Sequence, residues 1–170
     1  EILSLLEDLP VNVRSVPEGT LFRPFQPVME IEGDFNDYGA LETAILGLMC
    51  QSSGIATKAA RCRIAVGGLQ LVSFGARRMH PAIAPMLDRA AYIGGCDGVA
   101  MTSNAEMLDL PAVGTMPHAL VLLMGGLVPA IKAFDEVIEE DVRRVALVDT
   151  LGDEKFEALE AARAITDRLY

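Results

Sequence analysis

Leu69-Gln70-Leu71-Val72-Ser73-Phe74-Gly75-Ala76-Arg77-Arg78 is the stretch on which the fold turns. Residues 69–74 form a short apolar run that stops at a glycine and two adjacent arginines. A run this short, with turn chemistry after it, suits a buried strand; a helix needs roughly ten or more residues to bury a face. A helix is expected next, over residues 81–93. The unit then repeats. Residues 98–101 form a second short run ending in Thr102-Ser103-Asn104, a cluster suited to cap a helix that holds residues 105–108. Val113-Gly114-Thr115 is a weaker third strand candidate, and Pro117-His118 opens another apolar helix. Residues 145–148 form the clearest strand, ending in Asp149-Thr150, after which Gly152-Asp153 leads into a helix running to Tyr170. Strand, polar cluster, helix, repeated, predicts an α/β chain of parallel βα units.

Upstream the pattern changes. Residues 1–35 are turn-rich: the end of a helix over 1–9, an extended run with Val11, Val13 and Val16, a turn at Pro17-Glu18-Gly19-Thr20, and alternation at Val28-Met29-Glu30-Ile31-Glu32. This is a small β-rich segment. Residues 36–68 read as linker helices. One spans 38–50 with Leu41, Ile45, Leu48 and Met49 on one face, and a second spans 56–64 after the break Ser52-Ser53-Gly54. Lys58, Arg61 and Arg63 along the second read as a solvated basic face. Residues 69–170 carry the βα pattern.

Composition narrows the function classes. Of the 170 residues, 51% are hydrophobic, enough for a sizeable core and against disorder. A net charge of -10 argues against a nucleic-acid partner, whose affinity rests on Lys and Arg against phosphates. Small anionic substrates remain open, because a few local arginines can hold them inside an acidic protein. Cys50, Cys62 and Cys96 are too far apart for zinc-type pairs, and read as reduced, mostly buried thiols of a cytoplasmic protein. No signal peptide is visible. Residues 111–131 are nearly uncharged and long enough for a membrane span, but Gly114, Pro117, Gly125, Gly126 and Pro129 break the run. It reads as a buried loop-helix-loop, with no membrane partner. The chain starts at Glu1 and stops on an uncapped helix, so both ends look cut.

In βα folds the loops that leave the strands converge on one face, where ligands bind. Arg77 and Arg78 follow one strand, Asp97 precedes the next, Ser103 and Asn104 follow it, His118 lies past the third, and Asp149 and Thr150 close the fourth. Arginine grips phosphate or carboxylate bidentately, carboxylates position magnesium, and histidine serves as nucleophile or acid/base. Each residue also has a structural reading. The Arg pair suits surface salt bridges, Asp149 a helix cap, and His118 a hydrogen-bonded core position.

Ser73-Phe74-Gly75-Ala76-Arg77-Arg78-Met79-His80 resembles the nicotinate phosphoribosyltransferases, particularly the archaeal-type ones. Pro17-Glu18-Gly19-Thr20 and Glu30-Ile31-Glu32-Gly33 look like the family's amino-terminal β segment. Leu41-Glu42-Thr43 and Ser53-Gly54-Ile55-Ala56-Thr57-Lys58 look like its helical linker. Gly94-Gly95-Cys96-Asp97-Gly98, Thr102-Ser103-Asn104, Gly114-Thr115-Met116-Pro117-His118 and Leu147-Val148-Asp149-Thr150 resemble its barrel motifs, in order. The resemblance implies that residues 69–170 are the first half of an α/β-barrel catalytic domain, incomplete at the carboxyl end. It implies conversion of nicotinate and phosphoribosyl pyrophosphate to nicotinate mononucleotide and pyrophosphate, with ATP hydrolysis coupled and Mg2+ required. Phe74 would stack on the pyridine ring. Arg77 would face the substrate anions, supported by Arg78 and His80. Asp97 would sit near pyridine and ribose, His118 would be phosphorylated by ATP, and Asp149 would lie near ribose and magnesium. Ser103, Thr115 and Thr150, in the same motifs, are expected to bind substrate. No residue is assigned as a direct metal ligand. A homodimer or higher homo-oligomer is implied. Quinolinate phosphoribosyltransferase is the alternative enzyme. A non-catalytic subunit of such an enzyme is the alternative outside catalysis, and an unrelated α/β barrel sharing the strand-end chemistry is the third.

Overall fold

A computed structural model describes residues 1–140 and 142–165. The chain divides into two compact units, Glu1–Val113 and Gly114–Tyr170. The fold is mixed α/β, as the alternation of short apolar runs and helical stretches requires.

The first unit opens with helix α1 (Ile2–Leu6) and two antiparallel strands, β1 (Asn12–Ser15) and β2 (Met29–Glu32). Val13 faces Ile31 across the pair, and Asn12 faces Glu32. Alternation in β2 sets this register, since a slip of one residue would send Met29 and Ile31 to the other face. The turn at Pro17 is present: Thr20 returns a hydroxyl hydrogen bond of 2.6 Å to the Pro17 carbonyl. Glu18 beside it accepts both guanidinium arms of Arg89 at 2.6 Å, which ties the turn to the second half of the unit.

Asp34 accepts the backbone N–H of Asn36 and starts the short helix α2 (Phe35–Tyr38); a 3-10 turn, Gly39–Leu41, follows. The next element departs from expectation. Residues 42–66 form one unbroken helix, α3 (Glu42–Val66), not two helices separated at Ser52-Ser53-Gly54. Glycine inside a helix costs only about 1 kcal/mol relative to alanine, and serine less, so packing along the whole helix overrides the local signal. The expected inward face holds: Ile45 is buried, and Leu41, Leu48 and Met49 are half-buried.

Strand β3 (Val72–Ser73) and strand β4 (Gly98–Val99) pair in parallel, Val72 opposite Gly98 and Ser73 opposite Val99. An isolated parallel bridge joins Val99 to Ala112. The third strand candidate therefore pairs one residue earlier than Val113, whose N–H still reaches the Val99 carbonyl at 3.0 Å. Between β3 and β4 run two 3-10 turns, Ala76–Arg78 and Pro81–Ile83, and helix α4 (Ala84–Ile93). Between β4 and the bridge runs helix α5 (Thr102–Leu108). These are the predicted parallel βα units. Thr102-Ser103-Asn104 forms the first turn of α5, not its cap: Met101 occupies the cap position and no side chain caps it.

Helix α4 presses its glycine end onto α3. A Cβ on Gly94 would fall well inside contact distance of the Ala56 carbonyl oxygen and 2.7 Å from the Ala59 Cβ. Only a residue without a side chain permits that approach. Ala59, Ala91 and Cys96 are buried together there, with Ile55 and Leu71 against them. Of the three cysteines only Cys96 is buried; Cys50 is exposed and Cys62 half-buried, so the expectation of mostly buried thiols is corrected.

The second unit contains helices α6 (His118–Leu123), α7 (Leu127–Val137) and α8 (Glu154–Ala164). Its core is Met116, Val121, Leu127, Ala130, Ile131 and Ala161. Asp153 caps α8 by accepting the Phe156 N–H at 2.9 Å. The part of the expected last helix beyond Ile165 lies outside the described residues. Residues 145–148, expected as the clearest strand, are in no strand. Ala146, Leu147 and Val148 pack on the core, but their backbone has no ladder partner among the described residues. An apolar run supplies burial, whereas a strand also requires a neighbouring chain to bond with. Residues 111–131 hold a loop, α6 and the start of α7, and no described helix is long and apolar enough to cross a membrane.

Candidate active site

In the first unit, the loop leaving β3 presents Phe74 with 44% of its surface exposed. Arg77 and Arg78 follow on the 3-10 turn, both exposed, and neither makes an ion pair among the described residues. The salt-bridge reading of the Arg pair thus has no partner to support it. Two unpaired guanidinium groups beside an exposed ring suit an aromatic anion. His80 acts locally, where its Nδ1 accepts the Ala82 N–H at 3.1 Å and starts the second 3-10 turn. Accepting at Nδ1 requires that nitrogen to be unprotonated. Ser103 lies exposed on the first turn of α5, after β4.

Asp97 stands at the opposite end of the strands. It precedes β4, whereas Phe74, Arg77, Arg78 and Ser103 follow strand exits. Its Oδ2 accepts the Leu71 N–H at 2.8 Å and a hydrogen bond from the Arg63 guanidinium. These two donors hold the Asp97 carboxyl below the usual carboxylate range. Arg63 also donates to the carbonyls of Gly95 (2.9 Å), Gly67 (3.1 Å) and Leu69 (2.7 Å). The expectation that Arg63 belongs to a solvated basic face is therefore corrected; Lys58 and Arg61 are exposed as expected. A guanidinium carries five donors in a planar fork and can serve all four of these acceptors at once, whereas a lysine ammonium has only three.

In the second unit, His118 opens α6. Its Nδ1 lies 3.2 Å from the Thr150 hydroxyl and its Nε2 lies 3.8 Å from Asp149 Oδ1. The imidazole is 41% exposed and the Asp149 side chain 55%. His118 is thus no core histidine, and Asp149 is no helix cap, since Asp153 fills that place. With the proton on Nδ1, the ring donates to Thr150 and keeps a lone pair on Nε2; the reverse tautomer points an N–H toward Asp149. Thr115 is half-buried and its hydroxyl donates to the Met116 carbonyl at 3.0 Å. Beneath the Asp149-Thr150 loop, buried Glu157 accepts from the Leu151 N–H at 3.4 Å. Among the described residues no group of three or more His, Cys, Asp or Glu is arranged to hold a metal ion.

Two family models match the chain. The quinolinate phosphoribosyl transferase N-terminal domain matches residues 1–53, and the C-terminal domain of the same family matches residues 55–167. This chain belongs to the nicotinate/quinolinate phosphoribosyltransferase superfamily. Nicotinate phosphoribosyltransferase of Bacillus subtilis is 33% identical over 156 residues, 91% of this chain and 32% of that protein. The Bos taurus nicotinate phosphoribosyltransferase is 33% identical over 128 residues, 74% of this chain and 24% of that protein. The chain thus spans about a third or less of the curated phosphoribosyltransferases it matches. Among solved structures, nicotinate-nucleotide pyrophosphorylase from Pyrococcus furiosus is 58% identical with a TM-score of 0.85, covering 99% of this chain and 43% of that one. Human nicotinic acid phosphoribosyltransferase is 31% identical with a TM-score of 0.62, covering 71% of this chain and 25% of that one.

Sequence reading named the exposed residues at the strand exits and missed the groups beneath them. Arg63 and Asp88 are the omissions. Their partners lie at other places in the chain: Asp97 is 34 residues from Arg63, and Ser73 is 15 from Asp88. The signal that could have found Asp88 is its setting, a lone carboxylate on the apolar face of the helix after β3.

Proposed function

We propose that the full-length protein is a nicotinate phosphoribosyltransferase of NAD biosynthesis, joining nicotinate to phosphoribosyl pyrophosphate with ATP hydrolysis coupled. The observation that carries this reading is His118, an exposed imidazole flanked by the Thr150 hydroxyl on one nitrogen and the Asp149 carboxylate on the other. In the transfer, the ring nitrogen of nicotinate forms a bond to ribose C1 while the C1–O bond to pyrophosphate breaks. Such a reaction asks for stabilisation of leaving-group charge and little covalent help. Arg77 and Arg78 supply unpaired positive charge, and Phe74 supplies a face for the pyridine ring. Asp149 is an exposed carboxylate that would hold a hydrated magnesium ion brought in on phosphate oxygens, and that ion would supply charge neutralisation for the departing pyrophosphate.

The ATP step belongs to His118. A lone pair on its Nε2 takes the terminal phosphoryl group as the bond to ADP breaks, and water later takes that group as orthophosphate. Thr150 fixes the ring by accepting from Nδ1–H. Replacing His118 by alanine should abolish ATP hydrolysis dependent on nicotinate while leaving slow, ATP-independent transfer. Unchanged coupling in that variant would falsify the assignment. We propose a homo-oligomeric enzyme as well, measurable by light scattering.

Quinolinate is the second reading. The matching family models carry the quinolinate name, and the 58% identical structure is named a nicotinate-nucleotide pyrophosphorylase. Nicotinate is favoured by the curated relatives and by Phe74-Gly75-Ala76-Arg77-Arg78. Competition between the two acids for the full-length protein separates the readings.

A further inference from the structure

We infer that a buried network of Ser73, Asp88 and Asn104 positions the two strand-exit loops for substrate, Asp88 acting as a positioning residue that never touches it. The inference rests on the phosphoribosyltransferase reading above. Asp88 lies on α4 and is fully buried, 0% exposed. Its Oδ1 accepts the Ser73 hydroxyl at 2.8 Å, and its Oδ2 accepts the Asn104 side-chain amide at 2.6 Å. Ser73 ends β3, directly before Phe74; Asn104 lies on the first turn of α5, directly after Ser103, and is 2% exposed. One carboxylate thus joins the exits of two neighbouring parallel strands.

The energetics single the group out. No cation pairs with Asp88 among the described residues. A carboxylate withdrawn from water and held by neutral donors alone is costly, and an apolar side chain there would leave the buried Ser73 hydroxyl and Asn104 amide without their acceptor. Apolar residues at all three positions would avoid both costs, so stability alone gives little reason for the network. What an apolar residue cannot do is hold Ser73 and Asn104 at fixed separation. Asn104 keeps its amide turned the same way by a second contact to the Met101 sulfur at 3.6 Å. The loops so held carry Phe74, Arg77 and Arg78 on one side and Ser103 on the other.

The test uses the full-length protein and steady-state kinetics with nicotinate. Asp88→Leu should fold with a lowered melting temperature, because Ser73 and Asn104 lose their acceptor, and should lose at least about tenfold in kcat/KM, mostly through KM. Asn104→Asp, which sets two carboxylates against each other, should lose at least as much at pH 8. The double exchange Asp88→Asn with Asn104→Asp restores one donor facing one acceptor and leaves Ser73 an acceptor. It should return kcat/KM to within about threefold of wild type. A folded Asp88→Leu variant with wild-type kcat/KM overturns the inference, as does a folded double exchange that stays tenfold down. If an Asn104→Asp or Asp88→Leu chain does not fold, the double exchange decides alone. A wild type inactive with both nicotinate and quinolinate overturns the phosphoribosyltransferase reading instead, and the inference with it.

Discussion

Single residues separate into those the sequence exposes and those it hides. Asp149 and Thr150 stand at the end of an apolar run and His118 at the start of one, which made them candidates in the sequence, and the structure brings them within reach of one another. Arg63 was not legible. Its spacing with Lys58 and Arg61 looks like a solvated face, and only the fold brings four acceptors to it. Asp97 carries a testable consequence. Its folded pKa is lowered, so the stability it contributes is present above the ordinary carboxylate pKa of about 3.9 and is lost as pH falls through the folded value. Asp97→Asn should therefore lower the urea midpoint at pH 7, and the wild-type and variant midpoints should converge as pH drops from about 5 toward 3. Parallel curves across that range would contradict the role given to the Arg63–Asp97 pair. The thiols give a second check. Burial pushes the Cys96 thiol up, whereas Cys50 is exposed. Iodoacetamide at neutral pH should label Cys50 well before Cys96, and peptide mass mapping would reveal the order.

At the scale of elements, the parallel βα units and the small β-rich segment could be read locally, since period is a local signal, whereas the cap offered at Asp149 belongs to Asp153. Two larger features could not be read locally. Helix α3 runs through Ser52-Ser53-Gly54 because α4 packs on it farther along, and sequence windows do not see that contact. Residues 145–148 lack a strand because pairing depends on a neighbour, not on apolar composition. The α3–α4 contact predicts that Gly94→Ala destabilises the protein by about 1–3 kcal/mol in chemical denaturation, since the added methyl meets backbone. Gly94 has an ordinary φ of -72°, so the effect would be steric only. A second element depends on Arg144. Only 7% exposed, it donates to Asp135 Oδ1 at 2.9 Å and to the carbonyls of Ile138, Glu139, Glu140 and Val142 after α7. Arg144→Ala should cost about 3–5 kcal/mol, because Asp135 and the turn carbonyls lose their shared donor. A loss below about 1 kcal/mol in the same measurement would contradict that view.

For the whole molecule, the two units divide the candidate site residues. Glu1–Val113 holds the exposed Phe74 ring and Arg77 and Arg78, which have no ion pair among the described residues; Gly114–Tyr170 holds the histidine with its carboxylate and hydroxyl. The superfamily is carried by matches along residues 1–53 and 55–167, while the chain spans 32% of the Bacillus subtilis relative. The ordered motifs made that membership legible in sequence; the choice between nicotinate and quinolinate depends on how many cationic groups face the ring, which sequence order alone does not give. The most direct measurement is product formation by the full-length protein from phosphoribosyl pyrophosphate, with nicotinate or quinolinate, each with and without ATP. Nicotinate mononucleotide should form from nicotinate, faster with ATP, and quinolinate should be turned over at least about a hundredfold less efficiently, since a site lacking a partner for the second carboxylate leaves it desolvated and unpaired. Preferential use of quinolinate, with no response to ATP, would contradict the account.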